Sequence, residues 1–202
     1  MRLLTTRLAL LVAILALPAT SAYADPAVPA EASNNQNVFI MGGPFSKDFF
    51  GDTIAFWDNR YEDNFFGGVG YQYFFYNHPR GLKFGVEAGA GLRLGQRASA
   101  EVWAGGVARV NFDIGDITIA PALTAGISVV TDLIGAEAER AAEAGYSSLP
   151  VLFYLGPEVS LSHKAMPNLE LLARVQHRSG GFGTIAPVDG SNAAVVGLRY
   201  KF

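Results

Sequence analysis

The stretch GLKFGVEAGAGLRL, residues 81–94, alternates between two kinds of side chain from Leu82 to Leu94. Every even position is apolar, whereas the odd positions hold glycines and the charged residues Lys83, Glu87 and Arg93. Because successive side chains of a β-strand point to opposite faces of the sheet, this period of two predicts a strand with one apolar and one polar face.

The same period of two recurs along most of the chain, in runs separated by turn residues. Pro121 and Pro157 fall within two of these runs, where each removes one ladder hydrogen bond, so we expect a β-bulge at both prolines. We predict eight strands, over residues 38–46, 61–76, 82–94, 98–112, 117–129, 151–162, 169–179 and 194–202.

The charges of the six regular predicted strands, from residue 82 onward, lie on the polar faces and never on the apolar ones. They are Lys83, Glu87, Arg93, Glu101, Arg109, Glu158, Glu170, Arg174, Arg178, Arg199 and Lys201. The uncharged faces suit a lipid-facing band about 25 Å tall, and in hydrocarbon only a closed barrel satisfies the backbone of strands. We therefore predict an all-β fold, an eight-stranded antiparallel transmembrane β-barrel of the bacterial outer membrane. Side chains fill the interior of such a small barrel, which argues against a general diffusion pore.

The amino terminus has the form of a secretory signal peptide. Two arginines precede an apolar stretch over residues 8–17, and Ala22 and Ala24 form a small-residue cleavage motif. The stretch is too short for a membrane-spanning helix, which needs about 20 residues. We divide the chain into a signal peptide, residues 1–24, a flexible lead-in rich in Pro, Ala and Asn, residues 25–37, and the barrel, residues 38–202.

Composition excludes further classes of protein. The chain has no cysteine, so neither disulfides nor thiol chemistry is available. The net charge of −3 argues against nucleic acid as a partner. We also expect no metal and no cofactor, because the sequence has no cluster of metal-ligating residues.

The lengths of the connections predict the orientation. Residues 77–81, 113–116 and 164–167 are short connections, whereas residues 47–60, 131–148 and 180–191 are long. Barrels of this class have short periplasmic turns and long outer loops, so both termini would face the periplasm. The carboxy-terminal strand ending in Phe202 has the form of the signal read by outer-membrane assembly machinery, which we expect as a partner during biogenesis.

The seventh predicted strand ends in an H-x-S triplet, in which His177 and Ser179 continue the apolar, outward set. Neither side chain suits hydrocarbon, and a serine beside an imidazole is the minimum for nucleophilic catalysis. A third group normally orients the imidazole. Asn192, which has the same outward parity as Phe202, or Asp189, which precedes it in the loop, could reach His177, and only Asp189 supplies a carboxylate. The alternative interpretation is that His177 is an amphipathic anchor at the membrane interface.

The carboxy-terminal stretch VQHRSGGFGTIAPVDGSNAAVVGLRYKF resembles the end of the PagL-like lipid A 3-O-deacylases, a family of eight-stranded outer-membrane esterases. The resemblance covers roughly the last 35 residues by motif. It implies that Ser179 is the nucleophile and His177 the base. The family's orienting Glu is not matched, since Ser191 and Asn192 stand where it would fall and Asp189 lies slightly early. The family's Asn after the serine is replaced by Gly180, and backbone N–H groups of Gly180 and Gly181 would supply the oxyanion donors.

This resemblance implies an esterase in the bacterial outer membrane that removes a 3-O-linked hydroxyacyl chain from lipid A of lipopolysaccharide. Its partners would be lipid A and the surrounding outer-membrane lipids. The alternative is a small barrel without enzymatic activity, acting in adhesion or envelope integrity, or a degenerate deacylase that kept only its scaffold.

Overall fold

The computed structural model describes residues 34–95 and 97–202. The predicted signal peptide and most of the predicted lead-in therefore lie outside the described residues. The first strand starts at Gln36, two residues before the predicted start. Asn37 already faces the interior, where its amide donates to Gln72 Oε1 at 3.0 Å. The strands are β1 Gln36–Ser46, β2 Tyr61–Asn77, β3 Leu82–Leu94, β4 Ser99–Val110, β5 Phe112–Ile114, β6 Ile117–Val130, β7 Val151–His163, β8 Leu169–Ser179 and β9 Asp189–Lys201.

The strands form a closed antiparallel barrel. Neighbours along the chain pair with one another, and β1 pairs with β9 to join the first strand to the last. Both β4 and the short β5 pair with β6 in one unbroken register, so together they make a single barrel strand. The barrel therefore has eight strands, as predicted. No helix in residues 34–95 or 97–202 is long and apolar enough to cross a membrane.

The two prolines predicted to mark bulges do not do so. The β6–β7 register runs through Pro121 and Pro157 without a shift. Instead, the pairing of Pro157 with β8 is missing, and so is the pairing of Pro121 with Val110, the last residue of β4. A lost N–H therefore interrupts these ladders without adding a residue. The bulges occur elsewhere, between Pro44 and Ser46, between Phe74 and Tyr76, and beside His177.

The interior of the barrel holds the predicted charges as a connected network. Arg174 donates to Glu87 at 2.6 and 2.8 Å and to Glu158 at 2.7 Å. Below it, Glu170 accepts from Arg109 and Arg199. Since these side chains are almost fully buried, their charges are stabilised by one another rather than by water.

Large aromatic side chains fill the remaining interior. Trp103, which breaks the polar pattern of its face, is 3% exposed and donates to Glu87 Oε1 at 2.9 Å. Its ring lies against Gly89, where an added Cβ would overlap the indole. The glycines of the polar faces thus make room for interior rings, as at Gly70 beside Phe39.

The outer surface of the barrel is apolar, as the period of two predicts. Its large exposed side chains include Val38, Ile40, Val69, Val86, Leu92, Val102, Ile127, Val159, Leu161, Leu171, Val196 and Leu198.

The two ends of the barrel differ. The turn end carries the connections over residues 78–81, 115–116 and 164–168, and the loop end carries the long connections over residues 47–60, 131–150 and 180–188 together with the short connection from β3 to β4. The loops contain a short helix α1, Phe50–Thr53, a 3-10 turn, Phe56–Asp58, and a helix α2, Gly135–Glu143. Helix α2 closes the loop end, because its buried Glu137 bridges Arg93 and Arg178 inside the barrel.

Candidate functional site

Three polar residues form a row across adjacent strands at the loop end. His177 of β8 pairs in register with Asn192 of β9, which pairs with Ser46 of β1. Paired residues of antiparallel strands point to the same side of the sheet. The alternation of β8, in which Leu169 and Leu171 are exposed, places this side on the outside of the barrel. The structure therefore brings His177 and Asn192 together on the outer side of the barrel.

The hydrogen bonds of Asn192 determine which nitrogen of His177 carries the proton. Asn192 Nδ2 donates to the carbonyl of Asp48 at 3.1 Å, and a carbonyl can only accept. The other end of the amide, Oδ1, consequently faces His177 Nδ1 at 2.6 Å. An oxygen acceptor requires Nδ1 to be protonated, which leaves the lone pair on Nε2. The imidazole is thus held in the tautomer that a general base needs.

Asp189 lies on the same side, beside both His177 and Ser179. It pairs in register with Ser179, and its Oδ1 is 3.6 Å from His177 Nδ1. Its other oxygen accepts the backbone N–H of Phe50 at 3.0 Å. The two candidates for the orienting residue therefore act differently: Asn192 supplies the hydrogen bond, and Asp189 supplies a nearby negative charge.

The loop after β1 covers the imidazole, a contact that the sequence pattern did not reveal. The ring of Phe50 lies over His177 with the ring centroids 4.2 Å apart. Only 5% of His177 is exposed, whereas the prediction placed it open to the membrane interface. The reason is that residues 47–60 fold over the outer side of the strand ends instead of projecting away. An aromatic residue four positions after the end of β1 was the only local signal in the sequence.

Ser179 is half-buried and lies beside apolar side chains of β7. It pairs in register with Phe153, and His177 pairs with Leu155, so these two apolar residues share the outward side with the triplet. Within the described part of the chain, His177 uses only Nδ1 in hydrogen bonds, and the Ser179 hydroxyl is not bonded to Nε2. Catalytic hydrogen bonds often form only when substrate is bound.

The two glycines predicted as oxyanion donors differ in the structure. The amide of Gly180 donates to the carbonyl of Val188 at 2.8 Å, so it is engaged within the loop. A Cβ at Gly180 would overlap the backbone of Ala186, which explains the glycine by close packing. Gly181 instead has a left-handed backbone, with φ of +62°. Of the two predicted donors, only the Gly181 amide is left for an oxyanion.

The covering loop is fixed by an ion pair near its start. Arg60 donates to Asp48 through its backbone N–H at 2.7 Å and its Nε at 2.8 Å. The backbone N–H of Arg60, together with its guanidinium, lowers the pKa of the Asp48 carboxyl from the ordinary value of 3.8. The backbone carbonyl that holds Asn192 therefore belongs to a residue whose own side chain is anchored.

The fold and the position of this row define the class of the molecule as a small barrel of the outer-membrane type. The crystal structure of the outer membrane enzyme PagL is similar to this chain at 12% sequence identity and a TM-score of 0.53, covering 82% of this chain and 99% of that chain. The crystal structure of Neisserial surface protein A (NspA) is similar at 16% identity and a TM-score of 0.50, covering 84% and 98%. No protein-family model and no curated protein matches the chain. At these identities the likeness shows the fold, which is consistent with the outer membrane.

Proposed function

We propose that the protein is a serine esterase of the bacterial outer membrane that removes a 3-O-linked hydroxyacyl chain from lipid A. The observation that carries the proposal is the contact of His177 with Asn192 on the outer side of the barrel, on the strand that also carries Ser179. The 2.6 Å hydrogen bond to Asn192 holds Nδ1 protonated and leaves Nε2 as a base.

The proposed reaction begins when Ser179 Oγ attacks the ester carbonyl and His177 Nε2 takes its proton. The imidazolium that forms is stabilised by Asn192 Oδ1 and by the carboxylate of Asp189, 3.6 Å from Nδ1. The amide of Gly181 donates to the oxyanion. Collapse of the intermediate returns the proton from Nε2 to the sugar oxygen, which leaves as a hydroxyl. Water, activated by the same nitrogen, then hydrolyses the acyl-enzyme and releases a 3-hydroxy fatty acid.

The surroundings of the triplet support a lipid as the substrate. Phe153 and Leu155 flank Ser179 and His177 on β7, and the exposed Val151 continues the apolar surface beside them. An acyl chain lying along the barrel would contact these side chains while its ester reached Ser179. If the long loops face outward, as in barrels of this class, the ester lies in the outer leaflet, where lipid A is found. PagL shows that a barrel of this fold can be an enzyme.

The test is to express the full chain in a strain whose outer membrane contains lipid A and to weigh the extracted lipid A by mass spectrometry. We expect the loss of one hydroxyacyl chain, and we expect it to disappear in Ser179→Ala. Ser160→Ala is the matched control, because this serine lies inside the barrel and would leave the deacylation intact. Unchanged lipid A in cells that contain correctly inserted barrel would refute the proposal.

A second candidate is a barrel that keeps this scaffold without enzymatic activity. The cover of Phe50 over His177 favours it, as does the amide at Asn192 where the resembling family has a carboxylate. NspA, a surface protein, has a similar fold. In that case Ser179→Ala would change neither lipid A nor the surface properties of the cell.

A further inference from the structure

Helix α2 contacts the site from two directions. The site is assembled from three segments that are distant in the sequence: the loop at Lys47 and Asp48, the H-x-S triplet of β8, and the start of β9 at Asp189 and Gly190. Residues of α2 bind all three.

Inside the barrel, α2 holds the middle residue of the H-x-S triplet. Glu137 Oε1 accepts from Arg178 at 2.6 Å, and its other oxygen accepts from Arg93 at 2.5 Å. Arg178 also donates to the carbonyl of Pro150 at 2.9 Å. These contacts fix the backbone between His177 and Ser179 from the interior face of the strand.

At the rim, one residue of α2 joins the other two segments. Arg140 Nη1 donates to the carbonyls of Asp189 and Gly190 at 3.3 and 3.0 Å. Its Nη2 donates to the carbonyls of Lys47 and Asp48 at 2.6 and 3.3 Å. A planar guanidinium with several donors can span four carbonyls in this way, whereas the point charge of a lysine cannot.

The Asp48 carbonyl links Arg140 to the imidazole. It accepts from Arg140 and from Asn192 Nδ2, and Asn192 Oδ1 in turn faces His177 Nδ1. Arg140 also fixes the backbone of Asp189, whose carboxylate lies 3.6 Å from the same nitrogen. Both groups that contact Nδ1 therefore depend on the position of one guanidinium.

We infer that α2 is the positioning element of the site, and that Arg140 is a positioning residue that sets Asn192 and Asp189 against His177 without touching substrate. The inference deepens the proposed function and rests on it for its effect on catalysis. Its structural part, that Arg140 keeps the loop over His177, stands independently of any activity.

The catalytic test compares Arg140→Ala, Arg140→Lys and Glu139→Ala. Glu139 is exposed on the same helix, which makes it the matched control. We expect Arg140→Ala to lower kcat for lipid A roughly ten- to a hundredfold, since small misplacements of a catalytic group have effects of this size. KM should change little, because the apolar surface of β7 is untouched. Arg140→Lys should restore only part of kcat, and equal kcat in all the variants would overturn the inference.

The second test does not require activity. The full chain, folded into phosphatidylcholine vesicles, is treated with diethyl pyrocarbonate, and the modification of each histidine is followed by peptide mass spectrometry. In the wild type His177 should react slowly and His163, exposed at the turn end, rapidly. Arg140→Ala should accelerate His177 severalfold and leave His163 unchanged, while Glu139→Ala should leave both unchanged.

The two experiments separate the possible failures. An inactive wild type in which Arg140→Ala still exposes His177 would refute the esterase and keep the positioning role. An active wild type in which Arg140→Ala changes neither kcat nor the reactivity of His177 would refute the positioning role and keep the esterase. Retention of the barrel by each variant is checked from its resistance to unfolding in sodium dodecyl sulfate.

Discussion

Arg174 in the barrel interior and His177 on its outer side lie on the same strand, yet their surroundings are opposite. Arg174 is enclosed by the carboxylates of Glu87 and Glu158 and by the hydroxyl of Tyr154. Within residues 34–95 and 97–202, the His177 side chain has a single hydrogen bond, to a neutral amide, and one carboxylate at 3.6 Å. The interior group is saturated by fixed partners, whereas the outer group keeps one nitrogen available. The hydrogen bonds of Arg174 stabilise the fold, whereas the Nε2 of His177 is able to accept a proton.

The largest effect should come from the outer side. Replacement of His177 by Gln removes the proposed base while keeping a polar side chain, so the proposed deacylation of lipid A should fall by about 10²- to 10⁴-fold. The free energy of unfolding should change far less, because the residue lies at the rim. Quantitative mass spectrometry of lipid A measures the rate, and urea titration in vesicles measures stability. A large loss of stability with little loss of rate would reverse the roles assigned to the two regions.

The interior should respond in the opposite way. Glu87→Ala leaves Arg174 without its main partner in a buried site, which should lower the free energy of unfolding by about 3–5 kcal/mol. The barrel that remains folded should still deacylate lipid A at the wild-type rate. Asp116→Ala is the matched control, since its pair with Lys164 at the turn end is 73% and 64% exposed. Breaking that pair should change stability by no more than about 1 kcal/mol.

A smaller effect should separate the two orienting residues. Asn192→Ala removes the hydrogen bond to Nδ1, and bonds to a charged group contribute about 1.5–3 kcal/mol, so kcat should fall roughly ten- to a hundredfold. Asp189→Asn keeps the size of the side chain but removes the charge at 3.6 Å, and should reduce kcat less. The ranking is read from kcat of the two variants side by side. A greater loss in Asp189→Asn would make the carboxylate the main orienting group.

The smallest effect concerns the loop that covers His177. Because Arg60 lowers the pKa of Asp48, ionised Asp48 stabilises the loop above pH 3.8, and this support is lost as the pH falls through the lowered pKa. Fluorescence anisotropy of Trp57, which is 87% exposed in the same loop, should therefore decrease below that pH. Arg60→Ala should show a lower anisotropy already at neutral pH and a weaker change with acid. Identical curves of anisotropy against pH for the wild type and Arg60→Ala would show that the ion pair does not order the loop.

The barrel could be predicted from the sequence because the pattern that determines it lies within each strand. A period of two determines which face each side chain takes, and the placement of Arg93, Glu158 or Arg199 on the polar face then indicates which face is inside. The bulges expected at Pro121 and Pro157 were wrong, since a missing N–H interrupts a ladder without requiring an extra residue. Which ladders tolerate such a gap depends on the neighbouring strand, which the sequence of one strand does not contain.

The candidate site could be predicted only in part. The H-x-S triplet and the two candidate partners, Asp189 and Asn192, lie within a short stretch and could be compared on spacing. The contacts that decide between them come from far away, as when Asp48 holds the amide of Asn192 across 144 positions. Phe50 and Arg140 were missed for the same reason, because only the folded loops bring them to the imidazole.

The pairing of β1 with β9 determines when the site is assembled during folding. His177 lies on β8, one strand before this pairing. Asn192 lies on β9, and the Asp48 carbonyl that it binds follows β1, so the two groups come from opposite sides of the junction. Until β9 pairs with β1, the tautomer of the imidazole is not fixed and the loop with Phe50 does not cover it. In the proposed esterase, a nascent chain would therefore carry Ser179 and His177 without activity toward the surrounding lipids until β9 pairs with β1.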